Sequence, residues 1–171
     1  MTVDPLLHLA DQRGLAQEFL PLAAAILAGF FSRFLGGDRF ANLVTCSFVI
    51  VAAILSWITL FQVGFGGEGA ERTITLFRWV VVGDFAFDWA LRIDTLTAVM
   101  LIVVTTVSAL VHVYSIGYMS HDPSKPRFMA YLSLFTFMML MLVTADNLVQ
   151  MFFGWEGVGL ASCGAAAAPA E

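Results

Sequence analysis

The sequence predicts an all-α polytopic membrane protein with about five transmembrane helices and an extramembrane β-hairpin between helices 2 and 3. Three observations predict it. Of 171 residues, 60% are hydrophobic and 12% charged, whereas a soluble domain is about 45–50% apolar and about 25% charged. The charges crowd into a few breaks between apolar runs, each long enough to cross a hydrocarbon core that needs about 20 residues of helix. One break, unlike the others, is rich in β-branched and aromatic residues.

Taken in order, residues 1–16 form a polar N-terminal tail. The first two spans fill 17–63, from about Gln17 to Leu35 and from about Phe40 to Val63, with Arg33 placed to snorkel and Gly64, Gly66 and Gly67 closing the second. A secretory signal is rejected for the first, because Asp4, Asp11 and Glu18 stand against Arg13 where a positive n-region belongs. Residues 64–93 form an extracytoplasmic loop. Within it Thr73–Ile93 reads as two β-prone runs about a Gly83-Asp84 turn, with Trp79 and Trp89 suited to a membrane interface. Spans three and four occupy 94–145, from about Asp94 to Tyr118 and from Phe128 to Ala145. The fifth starts at Leu148, and 146–171 ends in an Ala-rich stretch. Arg33, Arg39, Lys125 and Arg127 lie in the first and third connections, so the positive-inside rule puts those in the cytoplasm and the hairpin outside.

Composition also excludes functions. One lysine and seven arginines make no basic patch for nucleic acid. Cys46 and Cys163 sit in apolar runs without ligand-like spacing, so neither a disulfide framework nor a metal centre is expected. No nucleotide loop, dinucleotide fingerprint or nucleophile–base pair occurs, so no catalytic, cofactor-binding or metal residue is expected on this chain.

Glu156 carries the most information. It falls about eight residues into the fifth span, ~12 Å by helical rise, where an acid costs about 2.5–3.5 kcal/mol to insert and marks an ion or proton pathway by default. Burial and a neighbouring cation act oppositely on a carboxyl's proton affinity, which makes such a group a relay. The alternative is a hydrogen-bonded glutamate that holds two helices together. Gly154, Gly157 and Ala161 form a small-residue strip for close helix approach, and Glu156 beside it is expected to be shielded from lipid. His112 is a weaker relay candidate, since an imidazole titrates near neutral pH, and its alternative is an interfacial histidine beside Tyr114 and Tyr118. Thr105, Thr106 and Ser108 are expected to bond their own helix carbonyls. Asp94 and Asp146 are placed to cap the third and fifth helices, and a proton-exit role is the other reading of each.

The stretch FGWEGVGLAS preceded by TADNLVQM resembles the fifth helix of chain L of bacterial NADH–quinone oxidoreductase (complex I), a pattern shared by mitochondrial subunit 5 and one class of cation/proton antiporter subunits. VGDFAFDWALRIDTLTAVML, LVHVYSIGYM and RFMAYLSLF resemble the same family in the same order. The resemblance implies a helical bundle whose repeats hold proton paths, a relay glutamate at Glu156 paired with a lysine on a later helix, a third-helix histidine at His112, and an outward hairpin. It implies a membrane-arm, antiporter-like subunit of a proton-translocating NADH:quinone oxidoreductase in a bacterial inner membrane, with no redox site of its own. NADH, FMN, iron–sulfur clusters and quinone would sit on partner subunits, and the partners would be other membrane-arm subunits and lipid. The alternatives are a subunit of a multi-component Na+/H+ antiporter and a truncated fragment that transports nothing. The ending CGAAAAPAE departs from the family pattern, and Lys125 is the only lysine, so the chain reads as an N-terminal portion truncated or frame-shifted after about Ser162.

Overall fold

The computed structural model describes residues 5–32, 37–65, 72–82, 85–120, 122 and 124–167. Five helices and one hairpin follow in chain order: α1 Pro5–Ile26, a π-helical turn Leu27–Phe31, α2 Asp38–Phe65, strands β1 Arg72–Val82 and β2 Phe85–Ile93, α3 Thr95–Tyr118, α4 Lys125–Val143 and α5 Leu148–Ala166. The Gly83-Asp84 turn, Gly66, Gly67 and Arg33 lie outside the described residues.

Helix α1 begins at Pro5, well before Gln17, so most of the stretch expected as a polar tail is helical. Proline suits a first helical position, where no intrahelical amide bond is needed. The helix is also held from outside. At Gly14, an added Cβ would meet Ile93 Cδ1 at 3.1 Å and Ile74 Cδ1 at 3.2 Å, so α1 passes close under the hairpin. Arg72 Nε and Asp11 Oδ1, 3.5 Å apart, tie the same two elements.

Four helical segments are long and apolar enough to cross a membrane: Asp11–Phe31, Asp38–Gly64, Thr95–Tyr118 and Lys125–Val143. Helix α5 forms with 19 residues but is not among them. Gln150, Glu156 and four glycines dilute its apolarity, so the expected five spans become four by this measure plus one less apolar helix. The chain is nonetheless a membrane protein by the character of the four. Their outward faces carry exposed Leu43, Ile54, Phe61, Leu96, Val107 and Leu110, the pattern expected where lipid replaces water.

The hairpin pairs antiparallel from Arg72↔Ile93 to Val82↔Phe85, with register irregularities at Thr75/Phe77 and Arg78/Val80. Trp89 organises its outer half, stacked on Phe77 at 5.9 Å and edge-on to Trp79 at 4.9 Å. Its base is fastened to the α4–α5 corner. Arg92 N donates to Thr144 O at 2.8 Å, Asn147 Nδ2 to Asp88 O at 2.9 Å, and Leu91 bridges Ala145. Beneath it Leu91, Phe137 and Met141 pack with Leu15, Leu22 and Leu76 as a core at that end of the bundle. At the opposite end, Ser32 and Gly37 line one groove with Ser124 and Arg127, so the first and third connections share a side.

Candidate functional site

Helices α2, α3 and α4 present their polar side chains to one another. On α3, Thr105, Ser108, His112 and Ser115 recur at helical spacing on one face, and Thr105, His112 and Ser115 are buried. Ser56 of α2 and Ser133 and Thr136 of α4 meet that face, all within 1% of complete burial. Thr105 Oγ1 donates to Leu101 O at 2.7 Å and lies 3.0 Å from Ser56 Oγ. Ser108 Oγ contacts Thr136 Oγ1 across the α3–α4 interface. The seam is therefore hydroxyl-lined and centred on one imidazole.

His112 is completely buried and both of its ring nitrogens are engaged. Nδ1 lies 2.8 Å from Ser108 O and Nε2 lies 3.0 Å from Ser133 Oγ. A carbonyl only accepts, so Nδ1 bears the hydrogen in the neutral ring and Nε2 is left as acceptor for the Ser133 hydroxyl. The ring is thereby poised between a hydroxyl that can hand it a proton and a carbonyl–hydroxyl pair on its other side. The interfacial placement beside the tyrosines is not what forms. Tyr114 and Tyr118 are exposed and stack on each other at 5.8 Å away from the buried ring. Ser108 also departs from expectation, since its hydroxyl reaches Thr136 and His112 rather than its own helix carbonyls.

The lysine expected in a polar loop opens α4 instead. Lys125 is only 6% exposed, and its Nζ donates to Ile116 O at 2.8 Å. A cation there satisfies a terminal carbonyl of α3 and meets the negative end of its dipole.

Helix α5 places Glu156 otherwise. The small-residue strip faces α4: a Cβ on Gly154 would meet Leu142 N at 2.8 Å and Cα at 2.9 Å, one on Gly157 would strike Met138 Sδ, and Ala161 is fully buried. Glu156 is about 120° around the helix from the middle of that strip. It is exposed, so the expected shielding by the strip is not provided by this chain. Among the described residues no hydrogen bond or ion pair reaches its carboxyl.

The two expected caps separate. Asp94 takes an extended conformation and its Oδ1 accepts from Thr97 N at 2.8 Å, with Arg92 Nε 3.3 Å from Oδ2. The Thr97 amide, and secondarily Arg92, hold this carboxyl below the usual carboxylate range. Asp146 is not the cap of α5. Asn147 is extended, and its Oδ1 accepts from Gln150 N at 2.9 Å, leaving Asp146 one residue too early and exposed. The capping position requires a side-chain oxygen two or three amides upstream of the first free N–H groups, and only Asn147 meets it.

Sequence reasoning missed two buried groups at the hairpin end. Gln150 is completely buried and its Oε1 accepts from Ala90 N at 3.2 Å. Glu18 is 2% exposed inside the first span, next to Gln17, whose Oε1 accepts from Thr59 Oγ1 at 3.1 Å. The signal for Gln150 was present: it falls on the same α5 face as Gly154 and Ala161.

Fold and seam define a polytopic α-helical membrane protein with an imidazole held among hydroxyls between its helices. The family described as NADH-Ubiquinone oxidoreductase (complex I), chain 5 N-terminus, matches residues 79–129, from the hairpin through α3 to the start of α4. Over 144 residues, 84% of this chain, the sequence is 53% identical to NADH-ubiquinone oxidoreductase chain 5 of Arabidopsis thaliana and 50% identical to that of Chondrus crispus. It is 48% identical over 143 residues to NADH-quinone oxidoreductase subunit L of Rickettsia bellii. The chain is thus homologous to chain 5 and subunit L of complex I over most of its length. It spans about one fifth of the length of these relatives, 21% for the first two and 22% for the third.

Proposed function

We propose that the chain is the N-terminal part of an antiporter-like membrane-arm subunit of a proton-translocating NADH:quinone oxidoreductase, and that it contributes to proton translocation coupled to electron transfer. The observation that carries this reading is the near 50% identity to chain 5 and subunit L over 84% of the chain. Those names favour a redox-driven complex over a free-standing antiporter.

In this reading the relay groups are His112 and Glu156. A proton arriving at Nε2 from Ser133 Oγ–H makes the ring an imidazolium, which gives its Nδ1 proton to the Ser108 hydroxyl as that hydroxyl passes its own to Thr136, and a flip of the ring restores the Nδ1–H form before the next proton. Ser133 is reprotonated from its own side. Glu156 faces outward from α5 and, by the resemblance, pairs with a lysine of a later helix. Gly154, Gly157 and Ala161 fix α5 against α4 and so set the face on which Glu156 emerges. NADH, FMN, iron–sulfur clusters and quinone belong to partner subunits, and the other membrane-arm subunits and the bilayer are the neighbours. The membrane is a bacterial inner membrane, with the Lys125 end in the cytoplasm under the positive-inside rule.

The test is proton pumping coupled to NADH oxidation in a complete subunit within the assembled complex. Glu156→Gln is expected to depress pumping at normal assembly, and unchanged pumping would remove that residue from the path. His112→Gln, which keeps hydrogen bonding but cannot carry a charge, is expected to do the same.

A further inference from the structure

The buried acid Glu18 lies outside both proposed relay positions. It is one turn below the hairpin layer, 2% exposed, and its Oε2 has no hydrogen-bond partner. The Thr144 hydroxyl at the end of α4 lies beside it and would favour the charged form if it donated to the carboxyl. That hydroxyl donates to Leu140 O at 3.0 Å, and while it does so it can only accept from Glu18.

Among the described residues, the charged groups of every element packed against α1 are accounted for elsewhere. On α2, Asp38 and Arg39 stand at the far end of the bundle, as do Lys125 and Arg127 on α4. At the near end Arg72 pairs with Asp11, about 10 Å up α1 from Glu18 by helical rise, Arg92 pairs with Asp94, and Arg78 with Asp88. Arg13 and Asp146 are exposed. Ionised, the carboxylate would leave the buried Oε2 without a partner and, among the described residues, would have no cation beside it; the Thr144 hydroxyl could answer it only by giving up Leu140 O, and one neutral donor does not offset the desolvation of a charge. A neutral acid instead completes a chain, Glu18 O–H to Thr144 Oγ1, and Thr144 O–H to Leu140 O.

We propose that Glu18 is a proton-binding site of this protein, a neutral glutamic acid that exchanges its proton through the Thr144 hydroxyl with the hairpin end of the bundle. When the acid gives up its proton, the Thr144 hydroxyl turns from Leu140 O to the carboxylate, and the leaving proton passes to water at the corner where exposed Asp146 follows Thr144. The ligand is the proton alone, and the site stands independently of the redox reading above.

Infrared spectroscopy of the whole chain in lipid near neutral pH tests it. Glu18→Gln should abolish one carboxylic-acid C=O band, the band in the unmutated chain should shift in deuterated buffer, and Thr144→Val should slow that shift severalfold. Dicyclohexylcarbodiimide, which adds to protonated carboxyls in apolar surroundings, should label Glu18 of the unmutated chain, with the adduct located by peptide mass, so the proposal does not depend on the variant folding. Loss of carboxylate rather than acid absorbance in Glu18→Gln, or no adduct at Glu18, overturns the site. Absence of the deuterium shift, or a shift unaffected by Thr144→Val, overturns the exchange route.

Discussion

His112 and Glu156 both sit on apolar helices, yet the bundle treats them oppositely. The imidazole is enclosed between α3 and α4 with a partner on each nitrogen, whereas the glutamate emerges from α5 with no partner among the described residues. The difference lies in the helix faces. On α3 the polar residues are the packing face, so His112 comes inward with them. On α5 the glycines are the packing face, and a residue about 120° away must point out. Depth along a span therefore says where a group lies relative to the bilayer, while only the face says whether its own chain solvates it.

This comparison breaks first at His112. His112→Ala leaves a cavity and strips Ser133 Oγ of its cross-helix partner, and about 3 kcal/mol of destabilisation is expected from the two effects together. Chemical denaturation of the chain in detergent, followed by circular dichroism, measures it; a change indistinguishable from zero would mean the seam is not packed as described. Gly154→Ala is expected to cost about 2 kcal/mol in the same assay, because its methyl meets the Leu142 backbone, which cannot rotate aside. Gly157→Ala should cost less, since Met138 can swing away. Asp94→Ala removes an N-cap and should cost about 1 kcal/mol. The carboxyl of Asp94 is depressed in the folded chain, so its contribution is present above the ordinary aspartate range and is lost as pH falls through the lowered folded value. In wild type this loss should appear on acidification, and in Asp94→Asn the same pH step should be flatter. Smallest of all, Glu156→Gln should leave the melting temperature of this chain unchanged, and a clear loss would show a partner for the carboxyl within the chain.

Much of the architecture was legible because membrane spans depend on length and apolarity, both written plainly in the sequence. The hairpin was legible from the β-branched run of Thr73–Val82 and the aromatic run that answers it. The start of α1 was not, because residues 5–16 are helical under tertiary contact with the hairpin at Gly14, a long-range cause that local polarity conceals. Asp146 and Asn147 are equivalent cappers by composition, and one residue of register chose between them. Within the seam His112 was visible as a residue, but its two partners come from α3 and α4 together, and Ser133 lies 21 residues away. Glu18 was read only as a charge before a span, since nothing local announces that α4 will close over it.

The docking of β2 on the α4–α5 corner fixes one end of α5 by main-chain and side-chain bonds through Thr144, Asn147 and Gln150. The opposite tip, at Ala166, is roughly 28 Å distant by helical rise and is held chiefly by the smooth glycine contact. Any rocking of α5 consequently pivots at the hairpin, and its amplitude grows toward the tip. Distances from a label on α4 to labels near Leu148 and near Ala166 of α5 would register such a swing at the second position alone.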